Sequence, residues 1–187
     1  MAHTSVFNIQ ELLEQILFFL AIDKSLYPTL FVCRLWYRCG APILWKRVEL
    51  KGNDLRYGHH FPEDYNYCAR NRTRLKRFVK IMCEKNKPAY VSNTTHLEIT
   101  FYHSLSDKKI KSIVDTFLNI IHLDFKNSIG FGDRSLFIIA ESYPNLRYLN
   151  LWDAQAITDK GLCAIIGSCR KLEHLNISYC RNITNKS

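Results

Sequence analysis

The sequence has no long apolar segment and no basic leader. The longest wholly apolar run in its first part covers seven residues, 16–22, whereas a helix that spans a bilayer needs about 20. The region ahead of this run is not the basic segment of a secretory signal, since Glu11 and Glu14 precede the run directly. We therefore expect an intracellular protein, cytoplasmic or nuclear, that does not enter a membrane.

The seven cysteines include no Cys-x-x-Cys pair. A tetrahedral zinc site needs closely spaced ligands, so we expect no metal. An odd number of cysteines without an export signal predicts reduced and mostly buried thiols. The Gly-Phe-Gly at 130–132 lacks the third glycine of a dinucleotide-binding loop, and Cys163 and Cys169 are better explained by the repeat described below than as nucleophiles. We therefore expect neither catalytic residues nor a cofactor.

The formal net charge of +9 is concentrated in one segment. Residues 70–87 contain eight lysines and arginines and one acid. Leu75, Phe78, Val79 and Met82 have the spacing of one helical stripe, and the cations occupy the remaining faces. Such a segment is either the solvated face of a packed helix or a surface for nucleic acid or an acidic partner, and the sequence leaves both open.

A repeat of 26 residues occupies the second half of the chain. Its clearest copies are YLNLWDAQAIT (148–158) and HLNISYCRNIT (174–184). We call a set of positions spaced by 26 residues a column. Five columns are entirely apolar: Leu97, Leu123, Leu149, Leu175; Ile99, Phe125, Leu151, Ile177; Leu105, Phe131, Ile157, Ile183; Ile110, Leu136, Leu162; and Ile113, Ile139, Ile165. Asp107, Asp133 and Asp159 form a further column. Agreement at so many positions identifies a true internal repeat.

Each repeat joins a strand pattern to a helix pattern. Alternation of apolar and polar residues, as in Leu-Asn-Leu at 149–151, predicts a short strand, and the spacing of Leu162, Ile165 and Ile166 predicts a helix. One such unit cannot bury both apolar faces alone. We therefore expect stacked repeats with parallel strands on a concave face and helices outside. The aspartates stand just ahead of each helix, where they would accept its first N–H groups.

These residues resemble the cysteine-containing class of leucine-rich repeats. The resemblance rests on L-x-x-L-x-L (Leu146, Leu149, Leu151; Leu172, Leu175, Ile177), on I-T-D-x-x-L (157–162) and on Cys169 and Cys180. Repeats that begin near residues 92 and 118 match by period alone. The resemblance implies the fold of this half of the chain and leaves its ligand open.

The outward-facing strand positions are the predicted target-binding surface. They are His96, Glu98, His122, Asp124, Lys126, Tyr148, Asn150, Trp152, His174 and Asn176. Histidines in a file along parallel strands lie about 4.8 Å apart and do not converge on one point, so we expect no metal there. Trp152 beside Tyr148 is either an anchor for a protein partner or a cover for the edge of the core.

Residues 1–50 show no trace of the repeat and predict three short helices. ELLEQILFFL and LFVCRLWYRCGAPILWKRVEL resemble the F-box, the adaptor-binding motif of cullin-based ubiquitin ligases, through Glu11 to Ile16, V-C-R-x-W at 32–36 and L-W-K-R at 44–47. F-boxes usually open with Leu-Pro, where this chain has Asn8 and Ile9. The resemblance implies an adaptor-binding surface formed by Ile9, Leu12, Leu13, Ile16, Leu20, Val32, Cys33 and Trp36. The remaining alternative is a helical cap on the first edge of the solenoid.

The expected fold class is therefore α/β, with a three-helix F-box at 1–50 followed by a short leucine-rich-repeat solenoid at 92–187. Residues 51–91 form either a linker or a degenerate first repeat, with Val-Glu-Leu at 48–50 as its strand and 74–84 as its helix. The resemblances imply a substrate receptor of an SCF-type ubiquitin ligase, whose partners are a Skp-type adaptor, a cullin reached through it, and a target protein. The alternatives are a repeat scaffold without a ligase role and a nucleic-acid-binding module.

Overall fold

The computed structural model describes residues 10–52, 65–83 and 88–184, with the backbone alone for residues 65–69 and 71. The chain forms two compact units, Met1–Arg47 and Val48–Ser187, which we call the helical unit and the repeat unit. The division falls close to the predicted end of the first domain at residue 50. Within the described ranges, no helix combines the length and apolar character needed to cross a membrane.

The helical unit contains three helices: α1 (Gln10–Ile22), α2 (Leu26–Thr29) and α3 (Arg34–Leu44). Its core consists of five buried residues, Leu13, Leu17, Leu26, Leu30 and Cys39. Helix α3 passes so close to α2 that a Cβ atom at Gly40 would collide with the side chain of Leu30. A core of this size supplies little stabilisation for an independent domain.

The repeat unit is built on one five-stranded sheet in the order β1-β2-β3-β4-β5. The strands are β1 (Arg47–Lys51), β2 (His96–Thr100), β3 (His122–Asp124), β4 (Tyr148–Asn150) and β5 (His174–Asn176). The helices are α4 (Tyr65–Cys83), α5 (Asp107–Val114), α6 (Asp133–Ser142) and α7 (Asp159–Ser168), with a short 3-10 helix at Val91–Asn93. Strands β2 to β5 pair in parallel, and their register advances by the 26 residues of the repeat.

The apolar columns of the repeat form the core of this unit. All positions of the five columns are buried in the first three copies of the repeat. In the fourth copy Leu175, Ile177 and Ile183 are half-buried, because among the described residues no further copy packs against them. The columns therefore mark the interior of the stack.

The aspartate column links neighbouring repeats and does not cap its own helices. Asp133 is the first residue of α6, and its carboxylate accepts hydrogen bonds from the backbone N–H (2.7 Å) and hydroxyl (2.6 Å) of Thr158. Asp159 does the same with Thr184 at 2.9 and 2.7 Å, and Asp107 accepts from the N–H of Gly132 at 3.0 Å. The prediction that each aspartate accepts the first N–H groups of its own helix was therefore wrong, although each one does lie in the first turn, at the positive end of the helix dipole.

Interior side chains, including Tyr143, Cys169 and Cys180, donate to backbone carbonyls of the preceding repeat. The hydroxyl of Tyr143 donates to the carbonyl of Phe117 at 2.7 Å, and burial holds the pKa of this phenol above its usual value. The Sγ atoms of Cys169 and Cys180 donate to the carbonyls of Tyr143 (3.4 Å) and Leu151 (3.2 Å). The two cysteines of the repeat motif thus satisfy buried polar groups that would otherwise be costly.

The prediction of mostly buried thiols holds for only part of the described chain. Cys39, Cys169 and Cys180 are buried, and burial raises the pKa of each thiol. Cys33 and Cys163, by contrast, are exposed. Cys33 is the extended N-cap residue ahead of α3, and Cys163 lies on the exposed side of α7, positions that a count of cysteines does not reveal.

Strand β1 and helix α4 precede the clear repeats in the positions of a first, degenerate copy. β1 is the first strand of the sheet, and the backbone N–H of Gly52 continues the pairing by donating to Thr100 at 2.8 Å. The ring of Phe78 in α4 stacks on Phe117 with centroids 6.3 Å apart. Helix α4 is longer than the predicted helix at 74–84 and begins at Tyr65.

Candidate functional site

The helical unit exposes large apolar side chains over much of its surface. Nine such residues lie between positions 12 and 44: Leu12, Phe18, Phe19, Ile22, Tyr27, Phe31, Val32, Tyr37 and Leu44. Phe31 is 72% exposed and Phe19 is 65% exposed. Apolar groups at this density on a small unit are typical of a surface that a partner covers.

The predicted adaptor-binding residues that the structure describes differ in their exposure to solvent. Leu12, Val32 and Cys33 are exposed, and Ile16, Leu20 and Trp36 are half-buried. Ile9 lies outside the described residues. These positions therefore contribute unequally to the exposed surface.

Leu13 is a core residue, and its assignment to the adaptor-binding surface was wrong. Its side chain is fully buried and packs in the cluster with Leu17, Leu26 and Leu30. Helix α1 carries apolar residues on all its faces from position 16 to 22, so its pattern alone did not show which face turns inward.

Two exposed aromatic pairs were missed by the sequence reasoning. Phe18 and Phe19 lie edge to face with centroids 6.5 Å apart, and Tyr27 and Phe31 do so at 5.3 Å. An open groove of about 510 Å³ adjoins the first pair and is lined by Glu11, Glu14, Gln15, Phe18, Phe19 and Ile43. The signal was the unbroken apolar run at 16–22, which has more apolar residues than one buried stripe requires.

In the repeat unit, four rings form a continuous stack across the sheet. His96, His122, Tyr148 and His174 are register partners, and their successive ring centroids are 5.0, 3.9 and 4.8 Å apart. Nε2 of His122 also lies 3.6 Å from a carboxylate oxygen of Glu98. No group of three or more His, Cys, Asp or Glu side chains in the described ranges could hold a metal ion.

Three of the predicted target-binding residues, Asp124, Asn150 and Asn176, serve the structure of the repeats. Asn150 is buried; its Oδ1 accepts from the N–H of Trp152 at 3.1 Å and its Nδ2 donates to Asp124 at 3.2 Å. Asp124 and Asn176 accept in the same way from the N–H groups of Lys126 (2.7 Å) and Ser178 (3.0 Å). The assignment of Asn150 to the target surface was therefore wrong, because its amide is committed to the turn after the strand.

Two further predicted target-binding residues, Lys126 and Trp152, form a cluster with Tyr179. The ring of Trp152 meets Tyr179 edge to face with centroids 5.2 Å apart, and Nζ of Lys126 lies 5.0 Å from its centroid on one face. The predicted neighbour Tyr148 stacks between His122 and His174 instead. Lys126, Trp152 and Tyr179 therefore form the aromatic and cationic part of the strand face, by which we mean the outward-facing strand positions and the turns that follow them.

Tyr179 was missed because the residues at the equivalent position of the other repeats have different types of side chain. Phe101, Asn127, Asp153 and Tyr179 are spaced by 26 residues and all have positive φ, between 56° and 66°. Asn and Asp adopt this left-handed conformation readily, whereas aromatic residues adopt it rarely. At Tyr179 the conformation holds a side chain that is 71% exposed against Trp152.

A comparison with protein families agrees with the repeat. The leucine-rich repeat family model matches residues 144–165 and 168–187. No curated protein matches the chain at a significant level. Leucine-rich repeats are typically non-enzymatic interaction modules, and their strand faces and loops bind partners through extended surfaces. The last two repeats thus match the leucine-rich repeat family, and this match suggests a protein-interaction scaffold.

Proposed function

We propose that the chain is the substrate-recognition subunit of an SCF-type cullin-RING ubiquitin ligase. In this proposal the helical unit acts as an F-box that binds a Skp-type adaptor, and the repeat unit binds the protein to be ubiquitinated. The proposal combines the resemblance of residues 7–48 to the F-box with the leucine-rich repeat match at residues 144–187.

The observation that carries the proposal is the exposed apolar surface of the helical unit. A unit with five buried core residues exposes nine large apolar side chains, and burying them against a second protein would supply the contact free energy that the unit lacks. The groove beside Phe18 and Phe19 adds polar groups at the rim through Glu11, Glu14 and Gln15. An apolar centre with a polar rim is the usual composition of a stable interface.

The mechanism would be one of proximity. The chain would hold a lysine of the target near ubiquitin carried by another subunit, which turns a bimolecular encounter into an effectively intramolecular one. The strand face, with its ring stack and the cluster of Lys126, Trp152 and Tyr179, would supply the contact to the target.

Adaptor binding is the decisive test. We expect the full chain to bind a purified Skp-type adaptor, and we expect Phe19→Asp or Phe31→Asp to weaken the affinity about 100-fold, since each change places a charge among the exposed apolar residues. Isothermal titration calorimetry measures this affinity. Both residues are exposed, so neither change disturbs the core.

The matched control is Ile166→Asp, which introduces the same charge at an exposed apolar position of the repeat unit. We expect it to leave adaptor affinity unchanged. If the adaptor fails to bind, or if the control weakens binding as much as Phe19→Asp does, the ligase role is wrong. The repeat scaffold without a ligase role, which the family match supports by itself, would then be the function.

A further inference from the structure

One face of helix α1 combines carboxylates with an exposed aromatic ring. Four exposed residues have the i, i+3, i+4 and i+7 spacing of a single helical face: Glu11, Glu14, Gln15 and Phe18. The buried side chains of this helix, Leu13 and Leu17, belong to the opposite face. The exposed face is therefore free of the core and begins with charged groups that give way to an apolar ring.

This face lines the open groove of about 510 Å³, together with Phe19 and Ile43. Phe18 is 49% exposed and Phe19 is 65% exposed. A groove lined by both rings and carboxylates suits a side chain with a hydrocarbon stem and a positive head, which lysine and arginine combine. A cation that lies over the face of a phenylalanine ring is also attracted by the ring itself.

Neither carboxylate of the groove is neutralised by a cation. Glu14 accepts a hydrogen bond from the neutral amide of Gln10 at 2.8 Å. In the part of the chain that the structure describes, no lysine, arginine or histidine forms an ion pair with Glu11 or Glu14. The dipole of α1 favours Glu11, which lies in the first turn, but this effect falls off within that turn and does not account for Glu14.

The groove is acidic although the chain as a whole is basic. Residues 10–47 contain five lysines and arginines and three acids, and two of the three acids line the groove. Two carboxylates at one opening repel a phosphate and attract a cation. The groove therefore does not suit nucleic acid or an anionic lipid surface, whereas it suits a cationic residue of a protein.

The groove is continuous with the surface assigned above to the adaptor, because Phe18 and Phe19 belong to both. We propose that the groove receives a cationic side chain of the Skp-type adaptor, whose stem lies against the two rings and whose charge pairs with Glu11 and Glu14. This inference rests on the proposed function, since it names the adaptor as the source of the cation. It adds to the apolar contact a charged one, which fixes how α1 is oriented on its partner.

The test measures the affinity of the full chain for a purified Skp-type adaptor by isothermal titration calorimetry. The double variant Glu11→Gln, Glu14→Gln keeps the shape of both side chains and removes their charges. We expect it to bind about tenfold more weakly at low salt, because the cation loses both of its partners.

The dependence of binding on salt separates this contact from a structural effect. Titrations at about 0.1 M and about 1 M salt change the Debye length from about 10 Å to about 3 Å. We expect the affinity of the double variant to fall less over this range than that of the wild type, since fewer charge pairs remain to be screened. A mere loss of stability in α1 would weaken binding without changing its salt dependence.

Two further variants make the test specific. Glu141→Gln with Glu173→Gln removes the same charge at exposed positions of the repeat unit, and we expect it to change the affinity less than about twofold. Phe18→Leu keeps an apolar side chain and removes the ring, and we expect about threefold weaker binding. Unchanged binding of Phe18→Leu would contradict the placement of the cation against the ring.

The outcomes distinguish this contact from the proposed function. If the wild type binds the adaptor and Phe19→Asp weakens binding, but Glu11→Gln, Glu14→Gln behaves like the control pair, the cationic contact is wrong and the ligase role remains. A tenfold loss with the salt dependence of the wild type would equally overturn the contact. If the wild-type chain does not bind the adaptor, the ligase role fails and this contact fails with it.

Discussion

The helical unit and the repeat unit reach their folded states in different ways. The core cluster of the helical unit contains five buried residues, while nine large apolar side chains are exposed between positions 12 and 44. The repeat unit buries its apolar columns almost completely and adds hydrogen bonds that join each repeat to the next. This difference motivates our proposal that a partner completes the first unit, whereas the second is stabilised by its own repetition.

The largest expected effect comes from a core deletion in the helical unit. Leu17 is fully buried, and Leu17→Ala should cost about 2–5 kcal/mol, which approaches the whole stability of so small a core. We expect hydrogen exchange to show loss of amide protection in α1 and α3 while β3 and β4 remain protected. Leu149→Ala, at an equally buried position of the repeat unit, is the matched variant. Loss of protection in β3 and β4 as well would contradict the expectation that Leu17→Ala acts within the helical unit.

An intermediate effect is expected from the hydrogen bonds between repeats. Tyr143→Phe leaves the carbonyl of Phe117 without its donor in a buried site and should cost about 1–3 kcal/mol. Urea unfolding of the repeat unit measures this cost. Tyr179→Phe removes an exposed hydroxyl and should cost less than about 0.5 kcal/mol. Equal effects of the two changes would mean that the inner hydrogen bond contributes nothing.

The smallest expected effect is that of acidic pH on the hydrogen bonds between Asp159 and Thr184 in the last described repeat. The hydroxyl and then the backbone N–H of Thr184 hold the pKa of Asp159 below its usual value of 3.8. A carboxyl whose pKa is lower in the folded than in the unfolded state contributes stability above the unfolded pKa, and the contribution is lost as the pH falls through the folded pKa. We therefore expect the amide of Thr184 to lose exchange protection only at acidic pH, below about 4.

Asp159→Asn provides the control for that experiment. The amide cannot titrate, so the protection of Thr184 should no longer depend on pH in this range. An unchanged pH profile in the variant would show that another group controls the loss of protection.

The repeat was predictable because equivalent positions are buried in the first three copies and half-buried in the fourth, and therefore hold apolar residues that recur in the sequence. Columns such as Leu97, Leu123 and Leu149 are apolar because each copy packs in the same way, so the 26-residue register and the parallel strands follow from the pattern. The role of Asp133 did not follow, because its partner Thr158 lies 25 residues later and capping arguments consider one helix at a time. Tyr179 was hidden because its column is defined by backbone conformation and by no shared residue type.

The surface of the helical unit was predictable only in part. The apolar pattern of α1 predicted a partner surface, but it did not separate Leu13, which is buried, from Phe19, which is exposed. Packing of α1 against α2 and α3 decides that difference, and these contacts are not periodic in the sequence. In the same way, the turn after β4 draws Asn150 inward although strand alternation predicts that it faces outward.

The most direct test of a partner-completed helical unit is oxidative footprinting of side chains in the full chain, with and without a Skp-type adaptor. We expect the adaptor to protect Phe18, Phe19 and Phe31 from oxidation while Trp152 and Tyr179 react as before. Unchanged oxidation of the three phenylalanines at saturating adaptor would contradict this function for the helical unit.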